Sequence, residues 1–192
     1  MAKAAKTGNR TSVRFRAVIL AAGESKRMGA QKLLMPFEGR AMIRYAVEAG
    51  ARWNPLVVAG PAVGEYTANQ LHVETLFNDA PERGMTHSLV LASASIEAEI
   101  SIIALLGDKP LVTPYLISRL CAAGRDSDVV FPRNPSTGEP GHPVLFSPRA
   151  RIKVPLLPDG DSLRMLRDDP SLTRREVPIE DLGAYFDIDT PL

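Results

Sequence analysis

The chain has 192 residues, 45% hydrophobic and 23% charged, proportions of a soluble globular protein rather than a fibrous or disordered one. A formal charge of only +1 gives no electrostatic reason to bind nucleic acid or an anionic membrane surface, so neither is expected as a partner. No apolar stretch approaches the roughly 20 residues that a bilayer crossing needs.

Charge is nonetheless uneven along the chain, because Lys3, Lys6, Arg10, Arg14 and Arg16 all precede the first acidic residue, Glu24. Residues 1–12 are polar and basic, lack the apolar core of a secretory signal, and read as a disordered tail ahead of a single domain spanning 13–192. From residue 13 to 20 the pattern alternates and then becomes continuously apolar (Ala17, Val18, Ile19, Leu20), which predicts a central strand buried on both faces. Similar short runs recur at 56–59, 73–77, 102–106 and 128–131. Between them lie helical patterns at 41–52, 84–98 and 114–123, the last opened by Pro114 after Thr113 as N-cap. This alternation predicts a three-layer α/β fold, a mostly parallel sheet with helices on both faces, whose ligands sit at the carboxyl ends of the strands. Beyond residue 132 the chain turns to Pro- and Gly-rich loops, shorter strands at 144–146, 174–179 and 185–188, and a helix near 162–167.

A lone cysteine, Cys121, falls in an apolar helical pattern and is expected to be buried as a small hydrophobe. With no partner for an internal disulfide, a cytoplasmic location is expected.

The most informative stretch follows the first strand: Leu20-Ala21-Ala22-Gly23-Glu24-Ser25-Lys26-Arg27-Met28-Gly29, then Gln31-Lys32-Leu33-Leu34. Small residues at a strand's end let the backbone approach a ligand closely, and its N–H groups can hold phosphate oxygens or the edge of a base. Arg27, a planar fork, and Lys32, a point charge, would balance a polyphosphate. The loop is neither the dinucleotide GxGxxG nor a P-loop.

Here the chain resembles the MobA-like nucleotidyltransferases, in particular the molybdenum cofactor cytidylyltransferases, from about residue 15 to 192. The match at 20–34 is joined in order by Asn78 to Leu89, Gly107 to Pro110, Gly141-His142-Pro143-Val144 and Asp187 to Pro191. The resemblance implies a Rossmann-like nucleotidyltransferase fold with a nucleotide-binding half at 13–132 and an acceptor-binding half at 133–192. It assigns the triphosphate to Gly23, Arg27 and Lys32, base and ribose to Asn78 and Ser88, and nucleotide binding also to Leu20, Ala21 and Ala22. The sister guanylyltransferases usually carry Gly-Gly where this chain has Ala22-Gly23, so CTP is expected, with GTP as the alternative. Arg27, Lys32 and Asp108 are the expected catalytic residues.

Asp108 follows the buried strand 102–106, where a hard carboxylate oxygen can meet Mg²⁺, an ion that typically takes one or two carboxylates plus phosphates and water. Asp187 and Asp189, at a spacing of two, would share one face of a strand with Ile188 turned into the core. The resemblance favours Asp189 over Asp187 as the second metal contact. Lys109 stands where the family usually has Met or Gln; it would neutralise the acceptor or pyrophosphate, or compete with the metal for Asp108. His142 is expected to bind the acceptor phosphate or hold a lid. His72 and His87 read as structural, with a place beside the nucleotide as the alternative for His87. No His or Cys spacing suggests zinc.

The expected reaction moves CMP from CTP to the phosphate of molybdopterin, with or without molybdenum, releasing pyrophosphate, with an apo-molybdoenzyme as the recipient of the product. The alternatives are GTP or another phosphate acceptor on the same fold, or a non-catalytic carrier of the molybdenum cofactor.

Overall fold

The computed structural model describes residues 14–23, 31–160, 162–186 and 188. In chain order the elements are β1 (Phe15–Ala21), the short strands β2 (Pro36–Phe37) and β3 (Arg40–Ala41), α1 (Met42–Gly50), β4 (Leu56–Ala59), α2 (Pro61–Gln70), β5 (Glu74–Phe77), α3 (Gly84–Ser95), β6 (Ser101–Leu106), α4 (Pro114–Ala123), β7 (Val129–Arg133), β8 (Val144–Phe146), α5 (Pro148–Arg151), α6 (Ser162–Asp168) and β9 (Arg174–Pro178).

Among the described residues, seven strands form one sheet in the order β5-β4-β1-β6-β8-β7-β9. All neighbours are parallel except β8, which runs antiparallel to both β6 and β7. Because successive side chains of a strand point to opposite faces, the continuously apolar runs feed two cores. Ala17, Ile19, Ile103 and Leu105 pack with Ile43 of α1 and Leu116, Ile117 and Leu120 of α4. Val18, Leu20, Ile102 and Ala104 pack on the other side with Leu89 and Ala92 of α3 and Leu163 and Leu166 of α6. Helices therefore cover both faces, as the alternating sequence pattern predicts. No helix among the described residues is long and apolar enough to cross a membrane.

Three of the differences from the sequence expectation have a visible cause. Helix α2 lacks an apolar stripe, since it buries only Val63, Gly64 and Thr67. Gly64 leaves room for the Phe77 ring, whose Cε1 would lie 2.6 Å from a β-carbon there. Helix α3 stops at Ser95 rather than 98. The described residues of the expected strand at 185–188, namely Tyr185, Phe186 and Ile188, are not in a strand. Instead Leu182–Ala184 make a 3₁₀ turn capped by the Asp181 carboxylate, which accepts from Gly183 N at 2.9 Å. The amides of Tyr185 and Phe186 then both return to Leu182 O, at 2.9 and 2.8 Å, which removes them from any ladder. Ile188 still enters the core, 5% exposed. Cys121 packs partly buried against the same core, and burial pushes its thiol up to about 12.

At the end of the sheet where β7 begins, Asp128 ties three strands together. Its carboxylate accepts from Ser147 Oγ (2.9 Å), Arg149 Nη1 (3.0 Å), and the amide and hydroxyl of Thr173 (both 2.9 Å). Burial alone would raise its pKa, but the hydrogen bonds from Thr173 and Ser147 and the Arg149 charge together bring it below the usual value. A carboxylate depressed in the folded state contributes stability above its unfolded pKa and loses it as pH falls through the folded one. Asp128→Asn is therefore expected to lower stability at neutral pH by about 2 kcal/mol, the scale of losing hydrogen bonds to a charged group. Urea unfolding across the acid range should show the gap to wild type narrowing; a constant gap would contradict the assignment.

Candidate active site

The carboxyl ends of β1 and β6 and the start of α3 enclose a cleft of about 330 Å³ lined by Leu20, Ala21, Ala22, Gly23, Lys32, Leu33, Pro81, Gly84, Met85, Ser88, Leu106, Gly107 and Asp108. Each wall has a local cause. Gly107 donates its amide to Leu20 O at 3.1 Å, drawing the Asp108 turn against the end of β1. A β-carbon at Gly107 would press within 3.0 Å of Ile43 and 3.1 Å of Leu33, so the approach depends on a missing side chain. Lys32 opens a 3₁₀ turn whose next residue, Leu33, is buried, and that anchor holds the lysine over the cleft.

Lys32 Nζ lies 3.3 Å from Asp108 Oδ2, with the two side chains 11% and 32% exposed. A cation and a carboxylate thus face one another beside the small-residue loop at a strand-end crevice. That is where an α/β sheet binds its ligands, and the charges suit an anionic substrate accompanied by a cation.

The helix side of the cleft is also fixed. Gly84 sits at φ 73° at the start of α3 and lies against Gly160. Thr86 donates its hydroxyl to Pro158 O at 2.9 Å and its amide to Gly160 O at 3.2 Å, so a loop from the second half of the chain pins the helix start. Asn78, 1% exposed, stands behind Ser88 and donates from Nδ2 to Ser88 Oγ at 2.9 Å. His87 Nδ1 meets Asn78 Oδ1 at 2.8 Å.

Of the residues expected from the sequence, the structure brings together Leu20, Ala21, Ala22, Gly23, Lys32, Ser88 and Asp108, with Asn78 directly behind. It places Lys109 elsewhere. That side chain is 4% exposed and turns to the C-terminal segment, donating to Tyr185 O at 3.1 Å and Phe186 O at 3.4 Å. Its ammonium thus reaches main-chain carbonyls of the C-terminal segment, while Asp108, one position earlier in the turn after β6, lines the cleft. His142 is half-buried outside the cleft lining, its amide donating to Ala184 O at 2.8 Å. Arg27, Asp187 and Asp189 lie outside the described residues. Sequence reasoning missed Pro81 and Met85 as lining residues, although the Gly-Met pair that opens α3 was a signal for the second.

Among the described residues no group of three or more His, Cys, Asp or Glu side chains is placed to hold a metal ion. The donor set nevertheless fits a Mg²⁺ that arrives with a nucleotide, because such an ion needs only one or two protein carboxylates and takes its other oxygens from phosphates and water.

A small-residue loop, a lysine and a carboxylate at the switch between β1 and its neighbours define a nucleotide-using α/β protein. Residues 17–175 match the MobA-like NTP transferase domain, and the chain belongs to that family of nucleotidyltransferases. It is 25% identical over 181 residues to the molybdenum cofactor cytidylyltransferase of Escherichia coli K12, covering 91% of this chain and 90% of that protein. The crystal structure of an Rv0371c homologue from Mycobacterium sp. strain JC1 superposes with a TM-score of 0.78 at 25% identity, covering 92% of this chain and 91% of that one. Rv0371c of Mycobacterium tuberculosis H37Rv, crystallised with manganese, has the same fold, with a TM-score of 0.71 at 23% identity over 87% of this chain and 89% of its own.

Proposed function

We propose that the protein transfers CMP from CTP to the phosphate of molybdopterin, with or without molybdenum, releasing pyrophosphate, and that it does so in the cytoplasm. The observation that carries this reading is the Lys32–Asp108 pair facing across the cleft beside Ala21-Ala22-Gly23. The 25% identity to a cytidylyltransferase along nearly the whole chain supports the choice of base and acceptor. Residues 13–132 bind the nucleotide on this reading and residues 133–192, with His142, the acceptor.

An oxygen of the acceptor phosphate attacks the α-phosphorus of CTP, the new P–O bond forming as the bond from the α-phosphorus to the bridging oxygen breaks and pyrophosphate carries the electron pair away. No protein nucleophile is required. The obstacle is the approach of two polyanions, so the chain contributes position and charge. Lys32 and Arg27 hold the triphosphate against the loop amides, while Asp108, with Asp189 or Asp187, would hold Mg²⁺. That ion would supply charge neutralisation at the phosphates.

The decisive assay offers each nucleoside triphosphate with Mg²⁺ and molybdopterin, with and without molybdenum, and measures pyrophosphate. Release specific to CTP supports the reading, release with GTP moves the assignment to a guanylyl transfer, and cofactor binding without release makes the protein a carrier. Ligand bound only to the native state stabilises it. CTP with Mg²⁺ is therefore expected to raise the melting temperature more than GTP does, and equal shifts would remove the cytosine preference.

A further inference from the structure

Asn78 allows the hydrogens of the cleft's inner wall to be counted. The Ala80 amide donates to Asn78 Oδ1 at 2.9 Å, and since a backbone N–H only donates, the carboxamide cannot be flipped. Its oxygen therefore also faces His87 Nδ1, 2.8 Å away, and its nitrogen faces Ser88 Oγ. Two consequences are forced. His87 must carry a proton on Nδ1, because an oxygen acceptor opposes it. Ser88 must accept from Asn78, which leaves its own hydroxyl proton with no acceptor among the described residues. Ser88 lines the cleft.

We infer that His87 is a positioning residue: through Asn78 it fixes Ser88 as a hydrogen-bond donor toward a nucleoside acceptor atom in the cleft. The inference rests on the nucleotide reading of that cleft. Asn78 is held from its backbone as well, its amide donating to Ala59 O at 2.8 Å, so His87 does not place the residue but adds a second donor to Oδ1 that reinforces the orientation set by the Ala80 amide. Cytosine offers a carbonyl oxygen and a ring nitrogen as acceptors, and ribose its hydroxyl oxygens; any of these satisfies the Ser88 proton that Asn78 leaves over.

Two measurements test this. Long-range ¹H–¹⁵N NMR of the histidines in the wild-type protein should show neutral His87 as the Nδ1–H tautomer; the Nε2–H form would overturn the inference whatever any variant does. In parallel, the affinity for CTP with Mg²⁺ is measured in Ser88→Ala, His87→Ala and the double variant. Each single change is expected to weaken binding roughly three- to tenfold, the scale of one lost neutral hydrogen bond, and the double variant no further. His87→Asn, whose amide nitrogen falls near the Nδ1 position, should recover most of the loss, and His87→Gln should not. Additive losses would show His87 acting independently and overturn the relay. An unchanged Ser88→Ala would sink the nucleotide reading of this wall and the inference with it, while the tautomer still reports whether the network is wired as described.

Discussion

Asp108→Ala is expected to lower nucleotidyl transfer by roughly 10²- to 10³-fold, the usual scale for removing one pre-organised electrostatic partner. The geometry allows the effect to be assigned to chemistry rather than to folding. Asp108 follows a strand whose Ile102, Ile103, Ala104 and Leu105 are fully buried, and its turn is held by Gly107 N to Leu20 O and Lys109 N to Leu106 O, neither of which uses the carboxylate. The side chain itself is about one-third exposed. Thermal unfolding should therefore be little altered in the variant while pyrophosphate release collapses. Lys32→Ala should produce a loss of similar size, because the same cleft then faces the triphosphate without its point charge. Turnover of either variant within a few-fold of wild type would rule out the role given to that residue.

Arg151→Ala is expected to have the largest effect on stability, about 3–5 kcal/mol, because it strands several buried carbonyls at once. For a chain of this size that corresponds to roughly 10 °C or more in melting temperature. Helix α3 ends without a glycine cap, and the last carbonyls of any helix lack intrahelical partners. The Arg151 guanidinium supplies them from α5: it donates to Ser93 O at 2.8 Å, Ile96 O at 2.9 Å and Glu97 O at 2.9 Å, and also to Ile100 O. The residue is 6% exposed, and burial lowers its pKa, although a guanidinium stays charged in water's pH range. Arg151→Lys should recover only part of the loss, since an ammonium has three donors on a point rather than a planar fork. A melting temperature within two degrees of wild type for Arg151→Ala would show that solvent caps the helix equally well.

This clamp also explains what the amino-acid pattern could not reveal. The apolar periodicity of α3 runs on past Ser95, and only a side chain more than fifty positions later decides where the helix stops. Helix α2 was illegible for the opposite reason: Gly64, the position that matters most to it, exists to receive Phe77 and contributes no apolar signal. The C-terminal run at 185–188 alternates like a strand, but Leu182 O takes the amides of Tyr185 and Phe186 and the Lys109 ammonium takes their carbonyls. By contrast, the strands at the cleft announce themselves because burial on both faces leaves no polar position to confuse the period. Asp108 was legible for a related reason, as a charged residue just past such a strand, and Lys32 from its place in the loop motif that follows β1. The Asn78–His87 contact was not, because nothing in a linear pattern shows which side chain fixes a tautomer.

The one reversed strand has an architectural consequence. Since β8 runs against β6, with Val144 opposite Ala104, the segment that arrives at the same end of the sheet as the cleft is the one preceding the strand, the 134–143 connection from β7. In the parallel part of the sheet a rim loop leads straight into a helix of the scaffold, so lengthening it disturbs the packing beneath. The 134–143 connection only joins two neighbouring strands at the same edge. Insertions there can remodel that end of the sheet while leaving the opposite wall of the cleft untouched, so the fold carries a segment whose length can vary without disturbing its scaffold.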